Sequence, residues 1–347
     1  FVLAVCVVFM QLRSRQLESR DIFLKDLESA CAAANDFIRM GDKCEEVMAE
    51  IQRSYELDEK SSTMLDDCLS ELLALYNQDA VFAAQSCHPF IFEPISEAIS
   101  YRLFNEEWEQ QLTSNQHAVT LVKTIEDFMK NDLESYLDSI LYVKSIDALV
   151  PATVVFYVNC ILAKSENHKN NKEGIFQDPA RALNRMLGDI EVMKLYFNDL
   201  ASDMPTLSKV IKKEFGILTA IHQCLCCAAH VSDADISDAI LGLHIHIGDV
   251  NLTRRCVADL WHLVAPADER DVWDLMEGGF LESAPQNPPE FKTSASNRLE
   301  VPGLRLDIML VKFYRKTKRK VQCSKASMIE KINISLNDWV VEGNIAC

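Results

Sequence analysis

The sequence predicts an all-α protein. Glycine and proline number only ten each in 347 residues, and hydrophobic residues make up 48% of the chain. Apolar side chains recur at the helical spacing of about 3.6 residues in several long stretches. Scarce glycine and proline disfavour the frequent tight turns of a β-rich fold, and the apolar fraction is ample for a core.

Taken in chain order, the run Phe1 to Met10 is apolar throughout. It is too short to cross a bilayer, which needs about 20 residues, and its basic residues Arg13 and Arg15 follow it instead of preceding it. The expectation is a core helix entered partway. From Ala118 the apolar positions Leu121, Val122, Ile125, Phe128, Met129, Leu133, Tyr136, Leu137, Ile140 and Leu141 form one stripe, with Glu126, Asp127, Lys130, Asn131, Glu134 and Asp138 on the other side. Thr153 to Val158 is rich in β-branched and aromatic residues. It is nonetheless predicted helical, because the apolar run continues to Leu162, Pro151 suits a helix start, and no neighbouring strand is available to pair with it. The polar stretch Lys164 to Gln177 reads as a linker. Asp178 as N-cap and Pro179 at the first position then open a second stripe of Leu183, Met186, Leu187, Ile190, Met193, Phe197 and Leu200. Ser232 with Asp235 gives a capping-box-like start for a helix running toward Ile247, and Gly248 gives its stop. Pro266 opens a further helix ending before Gly278 and Gly279, and a break at Ala284 to Ser296 carries three prolines. The expected organisation is helical bundle over 1–163, linker over 164–177, C-terminal bundle over 178–283, loop over 284–300 and a basic tail over 301–347. No fixed repeat of the solenoid type is present.

The net charge of −17 disfavours nucleic acid as the main partner. The charge is unevenly placed: residues 301–347 hold 9 Lys and Arg against 4 Asp and Glu, while the remainder holds 26 against 48. The twelve cysteines lie mostly among apolar residues, which reads as buried thiols in a reducing compartment. The densest chemical cluster is His222, Cys224, Cys226, Cys227 and His230, followed by His244, His246 and His262. On one helix His222, Cys226 and His230 would share a face suited to zinc, but no second paired-cysteine motif accompanies them. The predicted reading is incidental thiols and histidines, with a zinc-binding helical protein as the competing one. Asp233, Asp235, Ser237 and Asp238 resemble the start of a calcium loop, but Asp238 stands where glycine is required and His244 where glutamate is. Motifs for phosphate cradles, dinucleotide binding, serine hydrolases and zinc proteases are absent from the sequence, so no catalytic, cofactor or metal residue and no small-molecule substrate is predicted. One candidate contact is with an anionic lipid surface: Lys312, Arg315, Lys316, Lys318, Arg319 and Lys320 follow an apolar run and are interleaved with Phe313 and Tyr314.

Several segments resemble one family. Leu103-Phe104-Asn105-Glu106-Glu107-Trp108, the apolar stretch Pro151 to Leu162, and the set Arg185-Met186, Asp189, Val192 and Tyr196-Phe197 occur in the order and spacing of the exocyst subunit family called Sec-six. The resemblance spans about residues 22 to 280 and rests on packing residues. It implies an elongated rod of stacked antiparallel helical bundles, non-catalytic, cytoplasmic and peripheral at the plasma membrane. The implied role is tethering secretory vesicles before fusion, with the other exocyst subunits and SNARE proteins as partners. A rod from another tethering complex, at the Golgi or endoplasmic reticulum, would share this architecture. The basic tail has no counterpart in the resemblance.

Overall fold

The computed structural model describes residues 25–110, 115–171, 176–232 and 235–264, together with Val8, Gln11 and Arg13. The predicted helix from Pro266, the loop over 284–300 and the basic tail lie outside the described residues, as does most of the run Phe1 to Met10. Among the described residues every regular element is helical and no strand occurs.

The chain divides into two compact units between Ser86 and Cys87. The first contains α1 (Leu27–Ser54) and α2 (Glu59–Gln85). Each begins at an aspartate that accepts from a backbone amide of the first turn, Asp26 from Ser29 at 2.7 Å and Asp58 from Ser61 at 2.8 Å. These bonds satisfy amides that have no partner within the helix and depress both carboxyls below their usual range. The helices run antiparallel. Near the turn Gln52 donates to Asp66 at 2.7 Å, and farther along Phe37 meets Tyr76 with ring centroids 6.5 Å apart. Arg13 reaches Asp79 at 2.6 Å, both buried, so the charge on α2 is paired out of water.

The second unit holds α3 (His88–Ile99), α4 (Glu106–Gln110), α5 (Gln116–Phe128), α6 (Ser139–Asn171), α7 (Pro179–Ala201), α8 (Leu207–Ala228), α9 (Ile236–Ile247) and α10 (Val250–Trp261). Its centre is built by α6 and α8. The first packs against α3, α8 and α10, and the second against α6, α7, α9 and α10. Phe92 meets Phe156 at 5.8 Å between α3 and α6, and Phe197 meets Phe215 at 6.1 Å between α7 and α8. The Ser165 hydroxyl donates to the Asp259 carbonyl, which ties α6 to α10. By length and composition Ser139–Ser165 could cross a membrane. Val154, Tyr157 and Ile161 are instead buried among neighbouring helices, which makes α6 a core helix.

Five readings of the sequence are corrected here. The stripe from Ala118 to Leu141 is not one helix: α5 passes into a π-turn at Met129–Leu133 and a short turn at Glu134–Tyr136, and Leu137 is extended before α6 begins. A π-turn holds more residues than an α-turn, so burial recurs every fourth residue at Met129, Leu133, Leu137 and Leu141 while Tyr136 and Ile140 face solvent. Pro151 lies inside α6, and residues 164 to 171 of the expected linker continue that helix. Leu187 stays 40% exposed on α7, outside the buried stripe. The cap of α9 is Asp235, which accepts from Ser237 at 2.7 Å, and not a Ser232 capping box. Gly248 does end α9, at a φ of 74° that suits a residue without a Cβ.

Candidate functional site

The metal candidates do not converge. Helix α8 ends at Ala228, and His230 lies beyond it in the left-handed region at φ 55°, so the shared face with His222 and Cys226 is lost. His222 Nε2 lies 3.0 Å from the Leu183 carbonyl, an arrangement in which the ring donates to the backbone of α7. Cys224 Sγ donates to the Ala239 carbonyl at 3.2 Å, and His244 Nδ1 lies 3.1 Å from Thr253 Oγ1. Among the described residues no three His, Cys, Asp or Glu side chains gather as a metal site. Burial pushes the thiols of Cys160 and Cys224 up to about 12, which leaves them protonated and poor nucleophiles at neutral pH. The cationic candidates Lys312, Arg315, Lys316, Lys318, Arg319 and Lys320 lie outside the described residues.

What the structure does bring together is part of the set that carried the family resemblance, Phe104, Trp108, Tyr157, Arg185 and Asp189. Asp189 on α7 is fully buried and accepts twice on Oδ2, from Trp108 Nε1 at 2.9 Å and from the Tyr157 hydroxyl at 3.0 Å. These donors come from 81 residues upstream and from the middle of α6. The Arg185 guanidinium lies over the Trp108 ring, 5.8 Å from its centroid. Phe104 packs on Trp108 at 4.8 Å and on Tyr157 at 5.1 Å, and Phe176 closes the group at 6.1 Å from Trp108. Phe104 holds φ 65°, an uncommon backbone for a bulky residue, which the buried aromatic contacts on its ring maintain.

Loss of water pushes the Asp189 carboxyl up to about 6, although the Trp108 and Tyr157 bonds and the Arg185 charge all favour the ionised form. The same burial, with Asp189 beside it, raises the Tyr157 phenol well above its usual range. A carboxyl displaced in this way is a candidate catalytic acid wherever substrate can reach it. Asp189 has no exposed surface and Trp108, Tyr157 and Phe104 none or almost none, so the group is closed.

Three supports of this cluster were not foreseen. Asn115 precedes α5 and donates through Nδ2 to the Arg185 carbonyl at 3.1 Å. It lies so close to Gly188 that a Cβ there would stand 2.4 Å from the amide nitrogen. Glu109, buried on α4, accepts from the Asp178 backbone amide at 2.7 Å and so holds the entry to α7. The glycine within an otherwise good helix former was the available signal for a close approach on α7. Nothing in the spacing of Asn115 or Glu109 marks them.

A helical bundle whose conspicuous polar cluster is sealed by aromatic rings is a packing framework, with its chemistry spent on joining α4, α6 and α7. The model of the family described as Exocyst complex component Sec6 matches residues 13–234, and the chain belongs to that family. No curated protein and no solved structure matches the chain.

Proposed function

We propose that this protein is a non-catalytic subunit of the exocyst that helps tether secretory vesicles to the plasma membrane before SNARE-mediated fusion. The observation that supports this most is the family match over 13–234, which contains the residues of the sealed cluster, Trp108, Tyr157, Arg185 and Asp189. The residues of the resemblance serve packing, as expected of a subunit that works by offering helical surfaces to partners. The other exocyst subunits are the primary partners in this reading, SNARE proteins are contacted at the tethering step, and the place of action is cytoplasmic and peripheral to the membrane.

Depletion of the protein in its own cells tests the tethering role. Secretory vesicles should accumulate near sites of exocytosis, and re-expression of the full chain should clear them. Normal secretion and vesicle number after depletion would overturn the proposal. The basic residues Lys312, Arg315, Lys316, Lys318, Arg319 and Lys320 form its membrane-facing part. The full chain should float with phosphatidylserine vesicles in a salt-sensitive way, and flotation should vanish when 301–347 are removed.

A further inference from the structure

Helix α9 buries one face and leaves the opposite one open. Ala239, Ile240, Leu243, His244 and Ile247 are buried, and the half-buried His246 ring lies over Gly216 of α8, so close that a Cβ there would stand 2.6 Å from the imidazole Cε1. The other side of the helix carries Asp238, Leu241, Gly242 and Ile245, at the i, i+3, i+4 and i+7 positions that share one face. Asp238 sits in the first turn, where its charge suits the positive end of the helix, and the rest of the face is uncharged. Ile245 is 39% exposed and Leu241 is half-buried. Nothing lies within 4 Å of the place a Gly242 Cβ would occupy, so the face has room for a bulky side chain. The course of the chain indicates what fills it. Helix α10 packs on α9, and just past its end Leu263 and Val264 are buried, with the Leu263 carbonyl accepting from the Phe176 amide at 2.8 Å. The point at which the chain leaves α10 is therefore fixed. Only residues 262–265 separate Trp261 from Pro266, where the sequence predicts the next helix, and a connection of that length joins neighbouring antiparallel helices. In that predicted helix Val272, Trp273 and Met276 share a face at i, i+1 and i+4, while Asp271, Asp274 and Glu277 fall on the other side. An apolar stripe that needs a partner is thus tethered to α10, whose neighbour α9 has an apolar stripe without one.

We infer that residues 266–280 of this chain dock as a helix on the open face of α9, with Val272, Trp273 and Met276 against Leu241, Gly242 and Ile245. Helices α9, α10 and this segment then close the end of the unit, and the acidic side of the segment becomes its outer surface. A terminal element with a polar outer face seals an apolar array against further stacking. Both α9 and α10 lie past residues 13–234 matched by the family model, so the closure concerns a part of the chain that the match does not reach. The inference does not depend on which complex the chain joins.

Hydrogen exchange of the full chain, read by mass spectrometry, tests this. In the wild type the amides of 270–277 should be protected, as those of a docked helix are. Ile245→Asp puts a charge on the open face without touching the buried side of α9, and should speed exchange of 270–277 by about tenfold or more while α7 exchanges as in wild type. Gly242→Glu meets no described neighbour, so it leaves the described fold intact, and it should accelerate the same amides by obstructing the docked helix. Leu195→Asp, at an exposed leucine on α7, should leave them unchanged. Unprotected amides at 270–277 in the wild type, unchanged exchange there in either face variant, or equal acceleration by Leu195→Asp would overturn the inference. So would a wild-type dimer that Ile245→Asp converts to monomer, since a second copy would then be the occupant of the face.

Discussion

Asp189 and His88 show how burial writes opposite pH signatures into one bundle. His88 is buried on α3 with Nε2 3.1 Å from the Ser145 carbonyl, and desolvation brings its pKa down to about 4 from 6.5. Its stabilising contribution is present above the unfolded value and is lost as pH falls toward about 4. Asp189 is displaced upward, from 3.8 to about 6, so its contribution is fullest below 3.8 and is lost as pH rises through about 6. Between these limits the two groups oppose each other. Asp189→Asn keeps an acceptor for Trp108 and Tyr157 and removes one of the opposing titrations. The variant should lose stability more steeply than wild type on acidification from pH 6.5 to 4, with a divergence of about 2 kcal/mol across the window. Urea unfolding at several pH values measures it, and parallel profiles would mean that Asp189 ionises without cost. Gly188 gives a second prediction. Helix propensity alone says that Gly188→Ala stabilises by about 1 kcal/mol, whereas crowding of Asn115 costs about 1 to 3 kcal/mol. The crowding should win, and urea midpoints should fall.

Among the helices, α7 buries Leu183, Met186, Ile190, Met193 and Phe197 of its predicted stripe. Phe197 is fully buried between Tyr196, 5.1 Å away, and Phe215 on α8. Phe197→Ala should destabilise by about 3 to 5 kcal/mol by leaving a cavity between α7 and α8. A thermal melt unchanged from wild type would show that this face is not core. The stripe, its Asp178 cap and Pro179 were legible because they depend on neighbours within one helix turn. The register beyond Phe128 was not, since the π-turn at Met129–Leu133 inserts one residue into the period and leaves no composition signal. Pro151 was misread for a related reason. Proline is favoured in a first turn, but α6 already begins at Ser139 and accommodates it internally. The polar composition of 164 to 171 likewise did not show that the helix continues to Asn171. The cluster at Asp189 was visible only as separate motif fragments, because the bonds that join Trp108, Tyr157 and Asp189 cross 81 and 32 residues of sequence.

For the molecule as a whole, the helical class followed from composition and periodicity together, and the family from packing residues that a fold of this kind has reason to keep. The function rests on assembly, which no single residue encodes. Purification of the native full-length protein from its own cells, with quantitative mass spectrometry of what accompanies it, addresses this most directly. The other exocyst subunits should be recovered in fixed proportion to the chain. Recovery of a folded chain without them, or with the subunits of a Golgi or endoplasmic-reticulum tethering complex in fixed proportion, would contradict the account.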